Sequence, residues 1–346
     1  MKERDQRLSN IRAAACMAVV ILHTFFACFS LGTAGTIQYK ITVLIRNLMF
    51  WAVPCFVMVT GALLLDPVRE ITYRKVFRKY IPRMVAALVL FAAVMKGIDL
   101  AFGFSAWDSK TVPEFLKSLL TGQGLWNHMW YLYTMIALYL LMPIFHGACR
   151  SVDRKTVWIA VGVMVLFLSV KPLLESIFDM SFGFYIPVAT IYPLYLFLGR
   201  AMTAGEPDFC GKRGLVGFSV LVVVFLAGMG VSTFVYLNKD MVQLKEIVND
   251  YSFLATVIGA VGVFGLIRSI GTGGKKLGRI LGFIDKHSFG IYLIHMIPLK
   301  ILVMKKLFNP YDIGLWFVFV VAAGVFLISL LVAFALKKIP GLSKIL

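Results

Sequence analysis

Charged residues are scarce in this chain, and acidic residues are the scarcest. Only 15% of its 346 residues are Asp, Glu, Lys or Arg, whereas 60% are hydrophobic, and the mean hydropathy is +0.86. A soluble globular domain does not have this balance, which is typical of a polytopic membrane protein. The sequence therefore predicts an all-α, polytopic membrane protein that forms one domain over residues 1–346.

Cysteines are few, and the common catalytic motifs are missing. The five cysteines are odd in number and show no CxxC spacing, which argues against a disulfide framework or a zinc site and favours small buried residues. The chain has no GxSxG, HExxH or P-loop motif, and no GxGxxG that opens a helix. These absences argue against metal-dependent hydrolysis and ATP-driven transport. Neither a metal nor a permanently bound cofactor is predicted.

The surplus of positive charge lies between the apolar segments. The chain has 35 Lys and Arg against 17 Asp and Glu, a formal net charge of +18. Most basic residues fall in short connections, where the positive-inside rule places them, so no nucleic-acid partner is predicted. The apolar segments of spanning length lie near residues 11–30, 43–65, 81–102, 129–147, 157–174, 184–204, 214–237, 252–270, 283–304 and 314–336. They predict about ten transmembrane helices in a lipid bilayer. The alternation of basic connections predicts that both termini are cytoplasmic.

An ionisable pair lies in the first apolar segment. Arg12 and His23 are eleven residues apart, close to three helical turns, so both lie on one face with about 16 Å between them along the axis. An ionisable group at membrane depth is costly and usually faces a cavity or a partner. A neutral His23 suits a general base, and Arg12 suits a phosphate or a carboxylate. The alternative is an interfacial arginine and a histidine that packs between helices.

A polar stripe lies on the ninth apolar segment. Ser288, Tyr292 and His295 have the spacing i, i+4, i+7, which places them on one face of an otherwise apolar helix. Pro298 follows and predicts a kink. The stripe is either part of a substrate site or a set of hydrogen bonds that joins helices.

Two further groups are weaker candidates. His128 and Trp130 open the fourth segment from the outer side and suit an acceptor site, although an aromatic belt at the interface explains the aromatic residues without any function. The basic stretch 69–83, which includes Arg74, Arg78 and Arg83, suits the phosphates of a cytosolic donor such as a coenzyme A thioester. Topology alone also produces such a stretch.

Four motifs together resemble the membrane acyltransferase 3 family. Its Arg-x10-His motif matches Arg12 and His23, and its Val-Pro-x-Phe-x-x-x-(Ser/Thr)-Gly pattern resembles residues 53–61. Its His-x-Trp-(Phe/Tyr)-Leu motif resembles residues 128–132, and its Ser-x-x-x-Tyr-Leu-x-His motif resembles residues 288–295. The motifs occur in the family's order across nearly the whole chain.

The resemblance implies a membrane-bound O-acyltransferase of the bacterial cytoplasmic membrane. An acyl group, acetyl in the first instance, would pass from acetyl-CoA or another acyl-CoA to a hydroxyl of a carbohydrate or lipid-linked glycan. His23 would deprotonate that hydroxyl or carry the acyl group, and Arg12 would orient a donor phosphate or stabilise negative charge. His128, Trp130, Ser288, Tyr292 and His295 would bind substrate. Arg74, Arg78 and Arg83 would bind donor phosphates.

Amino-acid transport is the alternative hypothesis. Some members of this broad group resemble the membrane portion of resistance-linked serine racemases. In a transporter, Arg12 would bind a substrate carboxylate and His23 would relay protons. Use of a coenzyme A thioester separates the two hypotheses, because only the enzyme needs one.

Overall fold

The computed structural model of the chain is a bundle of helices, with no strand in the part of the chain that it describes. It describes residues 5–29, 31–33, 35–183, 190–204, 211–238, 241–272, 274–307 and 309–346. The longer helices, numbered in chain order, are α1 Gln6–Phe29, α2 Ile37–Leu48, α3 Ala52–Leu64, α4 Ile81–Ala101, α5 Thr111–Thr121, α6 Trp130–Ser151, α7 Arg154–Val165, α8 Lys171–Phe178, α9 Tyr192–Thr203, α10 Lys212–Leu237, α11 Val242–Val248, α12 Leu254–Ile270, α13 Lys275–Ile294, α14 Met296–Met304 and α15 Leu315–Leu336. Short helical turns cover Tyr73–Lys75, Val76–Tyr80, Asn127–Met129, Leu166–Val170, Pro310–Ile313 and Leu342–Ile345.

Eight helical stretches among the described residues are long and apolar enough to cross a membrane. They are Gln6–Phe29, Ile37–Leu64, Tyr73–Ala101, Asn127–Ser151, Arg154–Phe178, Lys212–Leu237, Lys275–Met304 and Leu315–Leu336. The prediction of an all-α, polytopic membrane protein is confirmed. The two other predicted spans contain α9 and α12, which have 12 and 17 residues, and residues 184–189 of the first lie outside the described residues. The count of ten and the cytoplasmic side of both termini stay predictions.

Proline interrupts two of the spanning stretches. Pro54 cannot donate a hydrogen bond to the carbonyl of Phe50, and the segment predicted as one helix over 43–65 consists of α2 and α3 with a turn between them. Pro298 likewise cannot donate to the carbonyl of Ile294, and the helical ladder breaks at His295, between α13 and α14. The predicted kink near Pro298 is present as this break.

Helix α1 lies in the middle of the bundle. Apolar residues occupy nearly every face of this helix, and such a helix is stable only when other helices surround it. It packs against α13, α3, α2 and α15. The side chains of α1 therefore face the protein interior on several sides, which places Arg12 and His23 among other helices.

Glycines allow the closest helix contacts. A Cβ atom on Gly61 of α3 would collide with the backbone carbonyl of Leu196 in α9, and one on Gly199 would collide with that of Met58 in α3. Small residues let helix backbones approach in this way inside membranes, where packing drives association. The cysteines Cys16, Cys28, Cys55 and Cys149 are buried, as predicted, and their thiols are free, whereas Cys210 lies outside the described residues.

Candidate active site

Two histidines from different helices meet in the interior of the bundle. Nδ1 of His23, on α1, lies 2.9 Å from Nε2 of His295, and the ring centroids are 4.9 Å apart. His295 is fully buried, whereas His23 keeps part of its surface accessible. The two residues that the sequence placed on separate polar faces therefore form one hydrogen-bonded pair.

The helix break holds the ring of His295 in place. Its Nδ1 atom lies 2.7 Å from the carbonyl oxygen of Tyr292 and 3.2 Å from that of Ile291. Both carbonyls belong to the last turn of α13, where the ladder ends before Pro298. The backbone thus fixes one edge of the ring and directs the other edge at His23.

Arg12 is far from this pair and has a different partner. Its Nη1 lies 3.1 Å from Oδ1 of Asp285 on α13, with 23% of the arginine side chain exposed and 1% of the aspartate. The two contacts are eleven residues apart on α1 and ten apart on α13, so the two helices run parallel, in the same direction. Since each residue rises about 1.5 Å along a helix, the ion pair and the histidine pair are about 16 Å apart.

His128 and Tyr292 pack against the histidine pair. The ring centroid of His128 lies 5.4 Å from that of His295 and 5.5 Å from that of Tyr292. The hydroxyl of Tyr292 donates to the backbone carbonyl of His128. The His128 ring is 1% exposed, and neither of its nitrogens makes a hydrogen bond of good geometry, although the Leu293 carbonyl lies near the ring. In the part of the chain that the structure describes, no group of His, Cys, Asp or Glu is arranged to hold a metal ion.

A cavity of about 510 Å³ leads from the ion pair toward the histidines. It is bounded by side chains of α1, α3, α4, α6 and α13. Its inner lining includes Val19 and Tyr292, which lie four and three residues before His23 and His295. The cavity therefore ends about one helical turn from the histidine pair.

The charge of the cavity is concentrated at its other end. Among the described residues, six basic side chains and one acidic side chain, that of Asp285, line it there. The basic ones are Arg12, Arg69, Lys79, Arg83, Lys286 and Lys337. The inner part is apolar or aromatic, with Val53, Phe56 and Tyr131 among its walls. A ligand with an anionic end and an uncharged arm fits this distribution.

The last residues of the chain contact the charged end. Nε and Nη2 of Arg83 donate to the carbonyl oxygens of Ile345 and Leu346, each at 2.8 Å. Lys337 donates to the carbonyl of Lys286 at 2.6 Å. Leu346 also lines the cavity. The guanidinium that the sequence predicted to bind phosphate is therefore already hydrogen bonded to backbone.

Other predicted residues lie at various distances from the cavity. Ser288 lines it, but its hydroxyl donates to the carbonyl of Asp285 in its own helix at 2.9 Å. Trp130 packs beside Tyr192 and Tyr251, with ring centroids 5.8 Å apart in each case, and is not part of the cavity lining. This position matches the aromatic-belt alternative as well as an acceptor site.

The basic stretch divides into two sets. Arg74 and Arg78 are exposed and do not line the cavity, whereas Arg83 does. Arg69 and Lys79 also lie in the predicted basic stretch 69–83 and line the cavity as well, although sequence reasoning did not assign them individually to the donor phosphates. Nor did it find Asp285. The available signal was its spacing, since Asp285 lies seven residues before Tyr292 and shares a face with the polar stripe.

The cavity with a basic mouth, and the histidine pair about one helical turn beyond its inner end, form the candidate active site. The chain belongs to the acyltransferase 3 family: the model of that family, described as an acyltransferase domain, matches residues 5–336. The protein is thus an acyltransferase with membrane-spanning helices. No curated protein and no solved structure matched the chain.

Proposed function

We propose that the protein transfers an acyl group, acetyl in the simplest case, from a cytosolic coenzyme A thioester to a hydroxyl of a cell-envelope glycan or lipid-linked sugar. Its location would be the bacterial cytoplasmic membrane. Membership of the family supports acyl transfer in general. The proposal adds the identity of the donor and of the acceptor. One observation carries the proposal. The cavity has six basic side chains at its mouth, and the His23–His295 pair lies about one helical turn beyond its inner end.

The charge distribution supports a coenzyme A thioester as donor. Its phosphates are anionic and its pantetheine arm is long and uncharged, which matches the basic mouth and the apolar inner walls. Phosphates at the mouth would leave the thioester at the end of the arm, near Tyr292 and the histidine pair. Because Arg12 lies about 16 Å from His23 along α1, its role in this proposal is to hold the donor and not to stabilise the reacting carbonyl.

His23 would act as the general base. It would take the proton of the acceptor hydroxyl while that oxygen bonds to the thioester carbonyl carbon. Collapse of the tetrahedral intermediate breaks the carbon–sulfur bond, and the proton held by His23 passes to the leaving thiolate. The products are an ester and free coenzyme A. The partly accessible surface of His23 agrees with contact to an acceptor, while His295 is fully buried.

The test uses purified protein in nanodiscs with labelled acetyl-CoA. Coenzyme A release and acetyl-CoA binding are measured for wild type, His23→Gln and a control, His146→Gln. His146, on α6, is a buried histidine whose Nδ1 lies 2.9 Å from the carbonyl oxygen of Leu64, and it is not part of the His23–His295 pair. We expect wild type and His146→Gln to bind and consume acetyl-CoA, and His23→Gln to bind it without turnover.

Failure of the folded wild type to bind or consume acetyl-CoA, with glycan acceptors present, contradicts the proposal. Serine flux into liposomes then tests the transport alternative. Turnover by His23→Gln at the wild-type rate contradicts the role of His23 alone and leaves the donor assignment intact.

A further inference from the structure

The hydrogen bond between the two histidines determines which nitrogen of His23 can react. A neutral imidazole has one N–H donor and one acceptor nitrogen, and the partner of one nitrogen fixes the role of the other. The pattern of partners around His295 and His23 can therefore be followed atom by atom.

The backbone fixes the proton on His295. Its Nδ1 faces the carbonyl oxygens of Tyr292 and Ile291, at 2.7 Å and 3.2 Å, and a carbonyl can only accept. Nδ1 must therefore carry the hydrogen. The ring is fully buried, and its partners are two carbonyls and another imidazole, none of which bears a negative charge, so the neutral ring is favoured. Nε2 of His295 is then an acceptor.

The same logic continues to His23. An acceptor at Nε2 of His295, 2.9 Å away, requires that Nδ1 of His23 donates. Nδ1 of His23 thus carries its proton, and Nε2 of His23 holds the lone pair. The carbonyl of Val19, four residues earlier on α1, also lies near the His23 ring. In water a neutral histidine prefers the opposite arrangement, with the proton on Nε2. The protein interior therefore selects the less common tautomer.

We propose that His295 is a positioning residue that holds His23 in the Nδ1–H form, so that Nε2 of His23 is the atom that accepts the proton of the acceptor hydroxyl. This inference rests on the proposed function, in which His23 is the base. It assigns to His295 a role different from the substrate binding that the sequence predicted. In hydrolytic triads a carboxylate orients the histidine that acts as general base. Here the imidazole of His295, held by backbone carbonyls, takes the place of that carboxylate.

Two substitutions separate positioning from packing. The amide of Gln in His295→Gln reaches the place of Nε2 and offers an oxygen acceptor to His23. The shorter amide of Asn in His295→Asn reaches only the place of Nδ1, where it can bond the Tyr292 carbonyl but not His23. Both variants keep a polar side chain at the helix break. Only the first keeps the contact with His23.

The first measurement is independent of activity. Solid-state ¹⁵N NMR of histidine-labelled protein in liposomes distinguishes protonated from unprotonated ring nitrogens, and the spectrum of His23→Gln identifies the His23 signals among those of the five histidines. We expect a protonated Nδ1 on His23 in wild type and His295→Gln, and a shift of the proton to Nε2 in His295→Asn. A proton on Nε2 of His23 in wild type overturns the proposal.

The second measurement separates kcat from KM. The cavity lining does not include His295, so the KM for acetyl-CoA should stay within about twofold of wild type in both variants. In His295→Asn, kcat should fall by about 100-fold or more, the usual contribution of a positioned base, and His295→Gln should recover most of it. Equal kcat in the two folded variants overturns the proposal. If the wild type shows no turnover at all, the proposed function is contradicted instead. The NMR spectrum still shows which tautomer His23 adopts.

Discussion

Arg12 and Asp285 form an ion pair of 3.1 Å between the same two helices that carry His23 and His295. Helices α1 and α13 are thus joined at two levels, near the basic mouth of the cavity and about 16 Å further along. The aspartate is buried and the arginine partly exposed toward the cavity. Arg12 is therefore placed both to stabilise the fold and to contact a ligand, and mutation can separate the two roles.

Arg12→Gln should lower both stability and donor affinity. Removing the arginine takes a charged partner from a buried carboxylate, which costs about 3–5 kcal/mol when the pair is fully buried and less here, since Arg12 is partly exposed. The double variant Arg12→Gln/Asp285→Asn removes both charges and should recover much of the lost thermal stability. The KM for acetyl-CoA should stay raised in the double variant. If the double variant regained the wild-type KM as well as the thermal stability, Arg12 would act only on the fold.

Basic side chains near the cavity mouth should affect the KM for acetyl-CoA only where they line the cavity. Arg69→Gln and Lys79→Gln remove charge from the lining, whereas the exposed residues Arg74 and Arg78 lie outside it. We expect a several-fold higher KM for acetyl-CoA in the first two variants and less than a twofold change in Arg74→Gln and Arg78→Gln. The difference should shrink as salt is raised from about 50 mM to about 500 mM, because screening weakens exposed charges. A uniform effect of all four variants would indicate a general surface potential and not a binding site.

The backbone of residues 345–346 should compete with the donor for Arg83. Two carbonyl oxygens, of Ile345 and Leu346, accept from the guanidinium that lines the cavity. Deletion of residues 342–346 removes both acceptors, and at about 1 kcal/mol for each net hydrogen bond, about 2 kcal/mol together, the KM for acetyl-CoA should fall about 30-fold.

The control for this prediction is Arg83→Ala with and without the deletion. Without the guanidinium, the deletion should lower the KM far less, because the contact that it then removes, from Nζ of Lys337 to the carbonyl oxygen of Leu346 at 3.4 Å, is weak. A rise in KM when the wild-type tail is removed would mean that residues 342–346 form a wall of the site and do not compete with its ligand.

Close helix packing predicts unequal effects of two glycine substitutions. Gly61→Ala places a methyl group against the backbone of Leu196, which cannot move aside without separating α3 from α9. The expected cost is about 1–3 kcal/mol or more, measured as a lower melting temperature in nanodiscs. Gly97→Ala is the control, because a Cβ atom there meets nothing within 4 Å. It should be neutral or slightly stabilising, since Ala is the better helix former. Equal melting temperatures would contradict the close crossing.

The sequence predicted the polar positions but not their partners. Spacing alone placed Arg12 with His23 on one helix and Ser288, Tyr292 and His295 on another, because the helical period fixes which residues share a face. Spacing within a helix carries no information on which helix lies beside it. The contacts of His23 with His295 and of Arg12 with Asp285 depend on the packing of α1 against α13 and therefore needed the structure.

The basic stretch shows a second limit of sequence reasoning. A π-helical turn at Val76–Tyr80 interrupts the regular helix between Arg74 and Arg83. Such a turn changes the phase of the residues that follow, and regular spacing cannot predict which arginines face the cavity. The break at Pro298 was predictable because proline acts through its own missing N–H, a local effect.

Tyr292→Phe should change kcat very little, although the residue lines the cavity. Its hydroxyl donates to the backbone carbonyl of His128 and so is not free to bond a substrate. Loss of one such bond costs about 1 kcal/mol of stability. Tyr133→Phe is the matched control, because that hydroxyl also donates to a backbone carbonyl, of Leu119 at 2.8 Å, but does not line the cavity. Both variants should lose similar stability and keep kcat within about threefold of wild type. If kcat instead fell selectively in Tyr292→Phe, by about 100-fold or more, the hydroxyl would have to leave His128 during turnover and act on the reacting groups.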